Sequence, residues 1–212
     1  SDNYQSGPLS FEYFLDNQKI VTNCGFGNNI SKKAELLSRL TSAQSTLCLN
    51  DTSVIKFKTS NTFNNNLKRS FKIFDLNYDD NETSIASSAT HDAYVKNIGY
   101  LHKRKIELKK SNNSLYGTDK LINKSSRKNV KFDIRFHLYP GIAAFQTMGG
   151  DSILIQLKRN KSLIFKSVGN KLSIEKSIFL GRNKMLNNLC ITISGNMINE
   201  TKKINWEFKK NI

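Results

Sequence analysis

Two histidines and two tyrosines crowd the segment Ala89-Thr90-His91-Asp92-Ala93-Tyr94 and the run Tyr100-Leu101-His102-Lys103-Arg104-Lys105-Ile106-Glu107-Leu108. An imidazole beside a phenol is the raw material of general acid–base catalysis, one group taking a proton and the other returning it. His91, Tyr94 and His102 are therefore the candidate catalytic residues. Strand alternation sends His102, Arg104, Ile106 and Leu108 to one face, so the competing reading makes His102 a hydrogen-bonded histidine at the margin of the core. His91 lies in a less regular stretch, where function is more easily housed.

A second constellation sits in Phe132-Asp133-Ile134-Arg135-Phe136-His137-Leu138. Alternation places the four apolar residues on the core face and Asp133, Arg135 and His137 together on the other. Arg135 is then either one half of a surface pair with Asp133, a weak interaction when exposed, or part of a cationic strip facing a sugar carboxylate. Other chemistries lack their signatures. Without His-x-His, His-x-x-x-His or Cys-x-x-Cys, no closed metal site is expected from this chain. Cys24, Cys48 and Cys190 are too few and too scattered for a disulfide framework and read as buried small hydrophobes. Gly25-Phe26-Gly27 lacks the third glycine of a phosphate loop, and no Gly-x-Ser-x-Gly elbow occurs.

The elements that must position these residues are strands. Period-2 runs recur over 9–15, 46–49, 54–58, 71–76, 101–108, 130–138, 152–157, 162–168, 172–180, 189–193 and 204–208, separated by residues that favour turns. The segments 61–66, 77–81, 112–114 and 123–128 read as loops. One short helix is expected over Ser31 to Leu40, with Ser31 as N-cap. Many strands and little helix predict an all-β fold: a large antiparallel sandwich of two packed sheets, residues 1–212 forming one domain, with a closed barrel as the alternative.

The chain has 33 Lys and Arg against 17 Asp and Glu, a formal charge of +16 in 212 residues. Such a field draws polyanions, although a Lys- and Asn-rich source would give the same excess on solvated faces. Interleaved basic and aromatic motifs of single-strand binders are missing, so no nucleic acid partner is expected. No apolar run approaches a membrane span, and no membrane partner is expected. The first residues carry neither a signal-peptide pattern nor an initiator Met, and the start reads as a cut inside a longer protein.

Read in order, several segments resemble the C-terminal β-sandwich of heparinase II/III-like polysaccharide lyases. They are Gly7-Pro8-Leu9-Ser10-Phe11-Glu12, Ile20-Val21-Thr22-Asn23-Cys24-Gly25, the stretch 43–53, His91-Asp92-Ala93-Tyr94 with His102-Lys103-Arg104, Phe136-His137-Leu138-Tyr139-Pro140-Gly141 and Ser177-Ile178-Phe179-Leu180-Gly181. The resemblance implies an N-terminal α-helical toroid as a missing partner and an acidic polysaccharide held between toroid and sandwich. Cleavage would be β-elimination at a uronic acid, with most of the catalytic groups on the toroid, in a periplasmic or cell-envelope setting. Relatives also carry, on the sandwich, a His-x-His pair, an Asp and a further His, part of which binds zinc in several members. The matching positions here are Asn3 and Gln5, Asn23, and Gln44, all neutral amides. No zinc or other cofactor is therefore expected. The resemblance leaves Gln5, Asn23, Gln44, Arg104 and Arg135 as candidate substrate-binding residues. The alternative is a non-catalytic module that only holds acidic polysaccharide.

Overall fold

The structure, a computed structural model, describes residues 5–55, 71–181 and 183–211. The strands are β1 (Tyr13–Leu15), β2 (Gln18–Thr22), β3 (Leu47–Leu49), β4 (Ile73–Asp80), β5 (Ser84–Tyr94), β6 (Tyr100–Lys109) and β7 (Leu115–Asn123). They continue as β8 (Asn129–Leu138), β9 (Ala143–Gln146), β10 (Ser152–Gln156), β11 (Ser162–Lys166), β12 (Lys171–Gly181), β13 (Lys184–Ile198) and β14 (Lys202–Lys210). Six strands form one antiparallel sheet in the order β1-β2-β8-β13-β12, with β3 also on β8. Eight form the other, β4-β5-β6-β7-β14-β11-β10-β9. Among the described residues the strands form two separate antiparallel sheets packed face to face, so the fold is the expected sandwich and not the closed barrel.

Sequence alternation builds the interface between the sheets. Phe132, Ile134, Phe136 and Leu138 of β8 are fully buried against Phe165 of β11 and Trp206 and Phe208 of β14. The Phe136 ring lies 4.8 Å from Trp206 and 5.0 Å from Phe165. Each such side chain contributes roughly 1.5–3 kcal/mol by leaving water, so this aromatic cluster is a main source of cohesion between the sheets.

Several elements differ from the sequence reading. Only Tyr13–Leu15 of the run 9–15 is strand, because Gly7 to Ser10 closes a turn with Leu9 at φ 57°. β4 runs on through Asp80, into residues read as a loop. β5 and β7 carry Ser, Thr, Gly and Asp where an apolar alternation would be sought, and so gave no strand signal. The helix appears as α1 (Lys32–Arg39), capped by the Ser31 hydroxyl on the Ala34 N–H, with Ala34 and Ser38 buried and Leu37 half exposed. A one-turn helix, α2 (Val95–Ile98), ends on Gly99 at φ 93°, a conformation that favours glycine. Most of the strand expected over 54–58 and the loop over 61–66 lie outside the described residues.

Candidate functional site

The site residues nominated by sequence divide between two places. His102 and Arg104 of β6 and Asp119 of β7 point inward from the eight-stranded sheet, Arg104 and Asp119 being direct partners across the ladder. His102 Nε2–H donates to Asp119 Oδ1 at 2.6 Å. Arg104 donates to the same carboxylate from Nε at 2.7 Å and from Nη2 at 3.1 Å, and the Trp206 indole N–H donates at 2.7 Å. The indole reaches Asp119 by lying across Gly117, where a Cβ would stand 2.0 Å from its ring.

The chain of hydrogen bonds fixes both imidazole tautomers. With Nε2–H of His102 given to Asp119, its Nδ1 is left to accept, and His91 Nε2–H supplies that proton at 3.0 Å. His91 Nδ1 in turn accepts from the Ala93 backbone N–H at 3.2 Å. Every ring nitrogen is thus engaged, and both rings are 0% exposed. Burial drives the His91 imidazole well below its usual range, with His102 and Arg104 adding to the effect. Burial also lowers His102, against the opposing pull of Asp119. Burial works against the Asp119 charge, but Arg104 and His102 outweigh it and hold the carboxyl below the usual range.

Tyr94 is buried as well, its phenol donating to the Leu47 carbonyl at 3.1 Å, and burial raises it well above its usual range. The structure therefore turns the acid–base reading of His91, Tyr94 and His102 into a different role. They are interior groups with satisfied hydrogen bonds, and none reaches the surface where a polymer could meet it. Arg104 is likewise not a surface contact: it is 3% exposed, and Nη1 donates to the carbonyls of Leu9 and Ser45 at 3.0 and 2.9 Å.

Through Ser45, that buried arginine supports the second place. The Ser45 N–H donates to Asn23 Oδ1 at 2.8 Å, and the Ser45 hydroxyl donates to the Thr22 carbonyl and accepts from the His137 N–H. Gln44 is buried and gives its amide to the Ser38 carbonyl at 2.8 Å, while Gln5 gives its own to the Gly25 carbonyl at 2.7 Å. Gln5, Asn23 and Gln44 are thus gathered around the end of β2 and the 3-10 turn at Thr41–Ala43. Asn3 lies outside the described residues.

Beside this cluster a cleft of about 380 Å³ opens between α1, the 3-10 turn and β12. Leu37, Leu40 and Ile178 supply apolar wall, and Cys24, Ser42, His137 and Ser177 supply polar groups. His137 Nε2 donates to the Ser42 carbonyl at 3.0 Å, so Nδ1 is the acceptor, within 3.0 Å of Ser177 Oγ and 3.4 Å of Cys24 Sγ. Arg135 shares that outward face of β8 and pairs with Asp133 at 3.4 Å, the pairing expected from spacing. Its Nη1 is buried without a partner.

Among the described residues no group of three or more His, Cys, Asp or Glu could hold a metal ion, and amides are poor substitutes for imidazole or carboxylate ligands. Asp119, Trp206 and Ser177 were not singled out from sequence. A signal existed for Asp119: an inward His102 and Arg104 need a buried acceptor, and the flanking Leu115, Gly117 and Leu121 share its parity.

The family model described as "Heparinase II/III-like, C-terminal" matches residues 1–207. No curated protein matches the sequence. Among solved structures, the heparan sulfate lyase HepC from Pedobacter heparinus aligns with TM-score 0.77 at 13% identity over 97% of this chain. A Heparinase III structure aligns at 0.74 and 12% over 97%, and the Heparinase III-BT4657 gene product at 0.76 and 9% over 98%. At these identities the likeness is one of fold, and the chain spans 30% of each of those structures.

Proposed function

The chain belongs to the heparinase II/III-like, C-terminal family, and from that premise we propose that it forms the sandwich wall of a saccharide cleft in a protein acting on acidic polysaccharide. The observation that carries this reading is the cleft lined by Ser42, His137 and Ser177, with the half-buried amides of Gln5 and Asn23 beside it at the end of β2. Gln44, 1% exposed and bonded to the Ser38 carbonyl, supports that wall from within and is not itself a contact for the saccharide. Amides and hydroxyls exchange hydrogen bonds with sugar hydroxyls and carboxylates, and an amide cannot take a proton at neutral pH. The sandwich shapes and binds; an N-terminal α-helical domain supplies the groups that carry β-elimination at a uronic acid.

The burial of His91, Tyr94 and His102 favours a second reading, a module that holds acidic polysaccharide with no part in turnover. Both readings expect the isolated chain to be silent. Incubated with heparan sulfate, heparin, alginate or hyaluronan, it releases no unsaturated uronate, followed by ultraviolet absorbance. Turnover by this chain alone would overturn the assignment of chemistry to a partner domain. Activity of the full-length parent then separates a cleft wall from a binding module.

A further inference from the structure

The outward face of the eight-stranded sheet carries an arrangement that its own stability disfavours. Lys103 of β6 stands directly opposite Lys120 of β7, and Lys120 directly opposite Lys203 of β14. Neighbouring strands are about 4.8 Å apart, so three ammonium stems rise side by side in one row. Like charges facing each other across a ladder destabilise it. Carboxylates elsewhere on this face are used differently. Glu107 is bonded by Lys105 and Lys109, and Glu207 by Lys209. Among the described residues, none of the three lysines has an ion pair.

The adjoining row is Lys105, Thr118 and Asn205, with the Thr118 hydroxyl on Asn205 Oδ1 at 2.9 Å. The row after that holds Glu107, Tyr116 and Glu207. A polyanion is therefore drawn to the first row, can offer hydroxyls to the second, and is turned away by the third. The first row has no aromatic platform of the kind that single-stranded nucleic acid stacks on.

We propose that Lys103, Lys120 and Lys203 form a second saccharide site, an exosite for a sulfated or carboxylated polysaccharide lying across β6, β7 and β14. It occupies the face away from the core, whereas the amide cluster and the His137 cleft belong to the other sheet. The proposal extends the polysaccharide reading to a new surface but does not depend on catalysis by any parent protein.

The test is heparin binding by the full 212-residue chain over a range of NaCl concentrations. Lys103→Gln/Lys120→Gln/Lys203→Gln is compared with a control that removes the same charge from exposed residues elsewhere, Lys32→Gln/Lys33→Gln/Lys184→Gln. The row variant should lose at least about tenfold in affinity at 0.15 M salt and flatten the dependence of log affinity on log salt by about three, one for each cation. The control should change affinity by less than about threefold. Equal losses in both, or no loss in the row variant, would overturn the proposal. Duplex DNA bound as tightly through the same three lysines would overturn the choice of polysaccharide. Lys120→Gln alone should raise Tm by about 1–3 °C by relieving repulsion, which also shows that the binding loss is not a folding defect; a lowered Tm would contradict the geometry. His137→Gln probes the cleft separately, and heparin affinity retained in it locates the binding on the lysine row.

Discussion

Each sheet holds an arginine, an aspartate and a histidine, and the two sets differ in almost everything except composition. Arg104, Asp119 and His102 point into the space between the sheets, with side-chain exposures of 3% or less. Arg135, Asp133 and His137 share the outward face of β8, where Arg135 keeps 14% of its side chain exposed and reaches Asp133 only at 3.4 Å. In the first set one carboxylate takes four hydrogen bonds from three side chains. In the second, Asp133 divides itself among Arg135, Lys131 and Ser194. The residue types that mark a catalytic site thus serve here to join two sheets in one case and, in the other, to pack the far face of β8, where Asp133 and His137 are themselves only 3% exposed and Arg135 is the member that reaches the surface.

The largest expected effect comes from removing the shared acceptor of the interior set. Asp119→Ala leaves a buried guanidinium, an imidazole N–H and an indole N–H without their common partner. Breaking a buried pair by taking one member away costs about 3–5 kcal/mol. Urea unfolding should show that loss, and Trp206, the only tryptophan in the chain, should report the lost hydrogen bond as a shifted emission maximum. A loss under about 1 kcal/mol would mean that water enters this site and that it is not interior in the sense argued.

Acid should act on the interior set next. The unfolded imidazoles titrate near 6.5 and both folded ones lie lower. Between those values the unfolded chain binds more protons than the folded chain. The stabilisation is fully present above about pH 6.5 and declines as pH falls below it, by up to about 1.4 kcal/mol per pH unit for each histidine. Asp119 adds a second loss below its unfolded value of 3.8, because its folded value is lower still. Denaturant midpoints taken from pH 7.5 down to 5 should fall, and His91→Gln should make the decline shallower. A flat profile would remove the case for neutral buried histidines.

The fold was legible because β8, β11 and β14 alternate cleanly, and a period of 2 with apolar residues on one parity leaves little choice. Four strands were missed: β2 and β9, which are short, and β5 and β7, which carry His91 and Asp119 of the interior polar set, whereas β6 with His102 and Arg104 was expected. β7 presents Gly117 and Asp119 inward, and β5 presents Thr90 and His91 near residues too small or polar to mark a face. Sequence brought His91, Tyr94 and His102 together correctly along the chain, but their burial depends on Phe71, Trp206 and the Leu9 to Phe11 segment. Those contacts are distant in sequence and have no local signature. The amide cluster was legible only through family resemblance, since nothing about Gln5, Asn23 or Gln44 taken singly announces a site.

The smallest effect is the sharpest test of the contrast. Arg135→Met keeps most of the side-chain stem that packs against β13 and removes a guanidinium whose Nη1 is buried without a partner. Asp133 keeps the Ser194 hydroxyl at 2.8 Å and the Lys131 ammonium at 3.1 Å, so its charge is not stranded. The expected change is within about 1 kcal/mol in either direction, since a poorly satisfied ion pair gives little net stability. Arg104→Met, made in parallel, leaves the fully buried Asp119 carboxylate without its cationic partner, with only the His102 and Trp206 N–H groups on it, and uncouples Leu9 and Ser45, and should cost about 3–5 kcal/mol. If the two variants unfold at the same denaturant concentration, exposure and hydrogen-bond count do not separate the two sets, and the structural role given to the interior one fails with them.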